Sequence, residues 1–445
     1  PQTPNPIQNS IIMKQRFYMM AIVLMATIFW SKSNIFAQEF DHYFADKTLR
    51  VDYSFSGNTS KQYIFLAELN TIPRWYGKRK NLSQIPLEGN GQITVRDKES
   101  GTIIYKNSFS TLFQEWLSTE ESKKTQKSFE NVFLVPFPKR PVIITVDLMN
   151  YHQKVMTTMS HTVDPNDILI RHIGERNVTP YVTLQQAEDT NRCIHIAYVA
   201  EGYKEEEMAT FLSDAKIAMN ALFEHEPFKS LRNRFNIIAV KSPSMESGVS
   251  EPGKGIWKNT AFGAHFDTFY SERYNTTLHL KNLNDKLAGT PYEHIVILVN
   301  SATYGGGGIY NSYTLADTHH PKFKPVVVHE FGHSFGGLGD EYSYGEEGTS
   351  MYPSDTEPWE QNLTTLHNFH GKWEDLINKG TPIPTPESKD IKTILTKVGV
   401  FEGGGYQSKG VYRGVQDCRM KTNEVPEFCP VCKLALTKLI DFYTK

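Results

Sequence analysis

The chain has 445 residues, with 47 Lys and Arg against 49 Asp and Glu and a formal net charge of -2. That balance gives no electrostatic footing for nucleic acid or a strongly anionic membrane surface. Hydrophobic residues at 39% and aromatics at 12% suffice for real cores, and the length suggests two or three domains.

Residues 1 to 12 carry no usable signal. Met13-Lys14-Gln15-Arg16 is a short basic lead, and the apolar run from Phe17 to Trp30 gives way to small and polar residues up to Ala37-Gln38. This order predicts an export signal over 13–37, cleaved after Ala37, whose apolar run is too short for a comfortable membrane span. The mature protein is therefore expected to be exported, to the periplasm, cell surface or exterior, with no membrane span. No feature of the sequence reports its oligomeric state.

From 38 to 165 the chain reads as short alternating segments broken by turn residues. Leu49 to Phe55 alternates before Ser56-Gly57-Asn58, and Gln92-Ile93-Thr94-Val95 and Thr102-Ile103-Ile104-Tyr105 flank a turn as a hairpin would. Asn131 to Pro136 and Pro141 to Leu148 continue the pattern, while the polar stretch from Trp116 to Ser128 reads as a helix. An antiparallel β-sandwich is the natural fold. No acid, base or nucleophile stands out in it, so a structural or docking module is expected.

A linker is expected over 166–192, and from 193 the punctuation changes to alternating strands and helices. Ile194 to Val199 is a strand, and Lys204 to Phe223 a helix with Met208, Phe211, Leu212, Ala215, Met219 and Leu222 at helical spacing. Arg234 to Val240 and His294 to Asn300 are further strands, the last almost wholly apolar, as a buried strand should be. Tyr304-Gly305-Gly306-Gly307-Gly308-Ile309-Tyr310 lacks the Lys-Ser/Thr of a nucleotide loop. It reads instead as a flexible turn into an edge strand around Gly308, Ile309 and Tyr310, whose free backbone groups can bind an extended peptide.

Immediately after comes Val326-Val327-Val328-His329-Glu330-Phe331-Gly332-His333-Ser334-Phe335-Gly336-Gly337-Leu338-Gly339-Asp340-Glu341-Tyr342. On a helix, His329 and His333 project from one face and can hold one Zn²⁺. Glu330, about a quarter-turn around, can then take a proton from a water that the ion activates. The apolar flanks would leave these polar groups costly unless partnered or metal-bound. Gly336, Gly337 and Gly339 stop the helix, after which Asp340 or Glu341 can return a carboxylate to the metal.

Cys418 can pair with Cys429 or Cys432 in an exported chain, and spacing does not choose between them. A structural zinc on these three cysteines lacks an evident fourth ligand. Cys193 is expected to be simply buried.

The order strand, helix, strand, strand, edge strand, zinc helix, glycine turn resembles the metzincin-type zinc peptidases. Val199-Ala200-Glu201-Gly202-Tyr203, the glycine stretch from Tyr304 to Tyr310 and the block from His329 to Tyr342 are similar, more closely, to the IgA-peptidase-like metallopeptidases, metallopeptidase family 64. The likeness covers roughly 193 to the C-terminus, and the sandwich matches the N-terminal domain that such proteins commonly carry. It implies an α+β multidomain chain: the N-terminal antiparallel β-sandwich, then over 193–445 a metzincin-like α/β zinc peptidase domain with a mixed sheet. It also implies one catalytic Zn²⁺ held by His329, His333 and a following acid. Metzincins place that third ligand where Gly339 stands, so Asp340 is the choice and Glu341 the competitor; Glu346 and Glu347 are more remote. Met420, in Cys418-Arg419-Met420-Lys421, corresponds to the methionine turn beneath the metal. The function implied is a secreted zinc-dependent endopeptidase acting on protein or peptide substrates. The alternative is a secreted binding or adhesion protein with a structural or vestigial zinc site.

Overall fold

The computed structural model describes residues 40–344 and 351–445. The export signal expected at 13–37, and with it Glu346 and Glu347, lies outside the described residues.

Period-two burial shapes the N-terminal half. In Val142–Met149, residues Val142, Ile144, Val146 and Leu148 are buried while those between them are partly exposed. Two four-stranded sheets result, one in the order Lys127–Pro138, Phe44–Gly57, Gln62–Pro73, Arg171–His172. The other runs Ile103–Phe109, Gly91–Asp97, Val142–Met149, Val155–Val163. Both feed one apolar core that includes Val51, Phe55, Ile93 and Ile144. The expected hairpin pairs Gly91–Asp97 with Ile103–Phe109. Val155–Val163 escaped the pattern because its side chains are mostly exposed and polar. The polar stretch from Trp116 to Ser128 is not an α-helix: after Trp116 it holds a single 3-10 turn at Glu121–Lys123 and then enters the strand at Lys127. The helix lies just before it, at Leu112–Trp116, where the Thr111 hydroxyl accepts the Gln114 N–H as an N-cap.

The stretch 166–192 is not a free linker either. Arg171–His172 pairs with Gln62–Pro73, while Tyr181–Gln185 pairs antiparallel with Phe235–Val240 in the second half of the chain. Open sheet edges recruit such segments through their unpaired backbone groups despite a polar composition.

The second half is built on a mixed six-stranded sheet, ordered Gly306–Ile309, Tyr313–Asp317, His294–Val299, Ile194–Glu201, Phe235–Val240, Tyr181–Gln185. The inner four strands are parallel and both edges are antiparallel. Ile194–Glu201 and His294–Val299 are buried along their whole length, as strands covered on both faces must be. Helices Met208–Phe223, Phe323–Ser334 and Pro430–Thr444 supply side chains to one core against the sheet. No helix of the described residues is long and apolar enough to cross a membrane.

The two halves are firmly joined. Arg50, wholly buried, bonds Asp52 in its own strand and reaches Asp285 Oδ1 at 2.6 Å and the Lys281 carbonyl at 3.2 Å in the second half. The Ser110 N–H donates to the Tyr310 carbonyl at 2.9 Å. This docking brings the Leu112–Trp116 helix to the edge of the cleft described next.

Candidate metal centre

Phe323–Ser334 is helical because its apolar positions, Phe323, Val326, Val327, Val328 and Phe331, pack into the sheet-side core. The helix ends where Gly337 takes a φ of +55° that a side chain would resist. There the Gly337 N–H bonds the His333 carbonyl and the Leu338 N–H bonds that of Gly332. The reversal sends the chain back toward the helix face that bears His329 and His333, and Asp340 arrives there.

His329 Nε2 and His333 Nε2 lie 3.0 Å apart, and Asp340 Oδ1 is 3.1 Å from the first and 3.2 Å from the second. The structure thus brings Asp340, and not Glu341, to the two histidines. Each imidazole is oriented from behind: His329 Nδ1 donates to the Arg419 carbonyl at 2.9 Å and His333 Nδ1 to the Leu338 carbonyl at 2.6 Å. A carbonyl only accepts, so Nδ1 carries the proton and Nε2 keeps its lone pair. The Tyr406 hydroxyl donates to Asp340 Oδ2, leaving Oδ1 for the cluster.

Two nitrogen lone pairs and a carboxylate oxygen facing one another at these distances repel unless a cation or protons intervene. Burial opposes charging the imidazoles, yet Asp340 outweighs it and pushes His333 up to about 10. Burial likewise opposes ionising Asp340, yet His333 and His329 hold it well below the usual carboxylate range. A tetrahedral ion with bonds of about 2.0–2.1 Å would space its donors roughly 3.3 Å apart, close to what is seen. The donor set therefore fits a zinc ion with one position left for water or substrate.

Beside the cluster, burial raises Glu330 above the usual carboxylate range, against the pull of His329 and His333. Its carboxylate has no hydrogen-bond partner among the described residues. The edge strand Gly306–Ile309 lies directly against this helix. A Cβ on Gly308 would run into the Glu330 carbonyl, and one on Gly306 would sit 3.1 Å from Glu330 Oε1. Glycine is required because strand backbone and helix touch here. Gly308 and Ile309 are thus in the expected edge strand, but Tyr310 is not. The chain turns at 310–312, where the Ser312 N–H bonds the Ile309 carbonyl, and the buried Tyr310 ring packs against Trp359 at 5.1 Å. Tyr274 bridges Gly306 on the strand's outer side.

Met420 is wholly buried beneath the helix, so close that a Cβ on Gly332 would lie 2.7 Å from its sulfur. The Met420 carbonyl accepts the Glu341 N–H at 2.8 Å. Glu341 itself points away from the histidines, into a pocket with Cys418, Cys429 and Cys432. These three cysteines are thiols here, with Cys418 Sγ and Cys432 Sγ 3.8 Å apart. Cys193 is buried apart from them, near His195.

The centre lies in a cleft of about 730 Å³ lined from both halves of the chain. Gly306 to Tyr310, Tyr342, Tyr344 and Tyr406 come from the second half, and Asn90, Ser110, Glu115 and Tyr151 from the first. Glu115 is therefore part of the site, although the N-terminal half showed no chemistry in sequence. It accepts the Tyr274 hydroxyl, and burial pushes its carboxyl up to about 7. Nothing near Glu115, Tyr274 or Tyr406 in sequence marks them, since each reaches the cleft only through tertiary packing.

A helix presenting two histidines and a glutamate, a returning carboxylate and an edge strand along a cleft define a metallohydrolase type of site. A model of the IgA peptidase M64 family matches residues 182–397 and 392–440, and the model of the peptidase M64 N-terminus matches 39–160. The chain belongs to the IgA peptidase M64 family, and its first half is that family's N-terminal domain. It is accordingly a peptidase, and its substrates are proteins or peptides. A search of curated proteins found no match.

Proposed function

We propose that this chain is an exported, zinc-dependent endopeptidase with a metzincin-like catalytic domain, whose general base is Glu330. The observation that carries the reading is the triangle of His329 Nε2, His333 Nε2 and Asp340 Oδ1, with Glu330 beside it in the cleft. Zinc, when bound there, polarises the scissile carbonyl and lowers the pKa of a water to about 7.

The protein's own groups do the rest. Glu330 takes a proton from the attacking water and delivers it to the leaving amine nitrogen. Arg419 and Leu338 carbonyls fix the imidazole tautomers, and the Tyr406 hydroxyl fixes the rotation of Asp340. Tyr274 already bridges Gly306, so in this reading it is the part of the edge strand beyond that bridge, Gly308 and Ile309, that offers backbone groups to an extended peptide lying in the cleft. Export rests on the basic and then apolar segment 13–37.

Glu330→Gln tests the reading. The variant is expected to keep its zinc, measured by elemental analysis, while hydrolysis of an unfolded protein falls about 10²–10⁴-fold. Wild-type turnover in the zinc-loaded variant would overturn it.

A further inference from the structure

Directly behind the cleft, Glu341, Cys418, Cys429 and Cys432 form a second, fully buried group whose donor atoms all lie within 4.8 Å of one another. Cys418 comes from the loop that carries Met420, Glu341 from the strand-like segment after Asp340, and the other two from the start of the helix Pro430–Thr444. We propose that these four residues hold a second metal ion, a structural zinc, that clamps together the parts supporting the catalytic centre.

Three independent features point to a ligand. First, Glu341 is wholly buried and only one of its oxygens is engaged: Oε1 accepts from Asn362 Nδ2 at 2.9 Å, while Oε2 has no partner among the described residues. A buried, half-satisfied carboxylate is costly unless a cation completes it. Second, Cys418 Sγ and Cys432 Sγ are 3.8 Å apart, and Cys432 Sγ is 3.3 Å from Glu341 Oε1. Zinc–sulfur bonds of about 2.3 Å in a tetrahedron give sulfurs roughly 3.8 Å apart, whereas a disulfide needs about 2.05 Å. Third, the sulfurs accept backbone N–H groups: Cys429 donates to Cys418 Sγ at 3.3 Å, and Cys432 to Cys429 Sγ at 3.4 Å. These bonds sit at a helix N-terminus, which favours thiolates, and thiolates select zinc among the divalent ions. Four protein ligands leave no position for water, so the site is closed and structural.

The ion would explain how the catalytic groups hold their places. Asp340 precedes Glu341, and the Arg419 carbonyl that orients His329 follows Cys418. Fixing Glu341 and Cys418 to one centre fixes both neighbours.

The test is metal content and thiol state of the full-length protein, purified in zinc-containing buffer without chelator. Two zinc ions per chain are expected in the wild type, and one in the His329→Ala/His333→Ala double variant. Exchange of that remaining ion for Co²⁺ should give thiolate-to-cobalt charge-transfer absorption, which a site of histidines and a carboxylate cannot produce. Alkylation of the unreduced, denatured wild type should label all four cysteines. A single wild-type ion that disappears in the double variant or gives no thiolate charge transfer with Co²⁺, or a disulfide between any pair of Cys418, Cys429 and Cys432, would overturn the proposal. So would a double variant that folds with wild-type circular dichroism but holds no ion. Glu341→Gln provides a milder check, its cysteine-bound ion being extracted by chelator faster than that of the wild type; equal rates would count against Glu341 as a ligand.

Discussion

Asp340 and Glu341 are neighbours in the chain and opposites in surroundings. The segment that carries them is extended, pairing with Gly405 and Tyr406 on one side and Met420 on the other, so successive side chains point apart. Asp340 joins two histidines at the floor of a large cleft, with Glu330 and an edge strand beside it. Glu341 joins three cysteines in a pocket with no access to solvent. The first group is built from nitrogen and oxygen donors and leaves space on one side; the second is closed. Openness, more than donor count, separates a centre that can do chemistry from one that can only hold the chain together.

The comparison can be broken most forcefully at Asp340. Asp340→Ala is expected to release the cleft ion and abolish hydrolysis, a loss exceeding the roughly 10–100-fold typical of an outer partner. Glu341→Gln should cost far less turnover per folded molecule and act mainly on thermal stability. If kcat falls equally in the two variants, the division of roles between the neighbours is wrong. Next in size is Tyr406→Phe, which frees Asp340 Oδ2 without touching the histidines. About 10–100-fold weaker metal binding or activity is expected, read from a zinc-buffered titration of turnover. An unchanged zinc dependence would remove Tyr406 from the site.

A last effect falls on stability and leaves turnover at neutral pH untouched, and it concerns the ground that both clusters share. His294, buried beneath the end of the metal-site helix, meets the Phe335 ring at 5.0 Å and the Tyr443 ring at 6.1 Å. Burial pushes it down to about 3 from an ordinary 6.5, with His195 adding to the effect. The unfolded chain therefore binds a proton that the folded protein refuses. The stability due to neutral His294 is complete above pH 6.5 and is lost as pH falls toward 3, at about 1.4 kcal/mol per pH unit. In His294→Gln, the acid limb of the unfolding free energy plotted against pH should be shallower by that slope. Parallel limbs would show that His294 is not buried neutral.

Where chemistry depends on local spacing, it was legible in the sequence. His329, Glu330 and His333 follow from helical periodicity, and the glycines after them announce the turn that returns Asp340. The strand Gly306–Ile309 was only partly legible, because glycine has little strand preference of its own and is there for the helix that presses on it. Glu115 and Tyr406 could not be read at all, since docking of a separate sheet or strand puts them in the cleft. The cysteine group was legible as three ligands in want of a fourth. Its missing member was hidden in plain view, as the residue considered for the other ion.

The most direct test of this arrangement is an anomalous difference map, at the zinc edge, from crystals of the zinc-loaded protein. A peak within bonding distance of His329 Nε2, His333 Nε2 and Asp340 Oδ1 is expected, with Glu341 turned away from it. A cleft ion bound by Glu341 in place of Asp340, or no ion between the two histidines, would contradict the assignment of the catalytic centre.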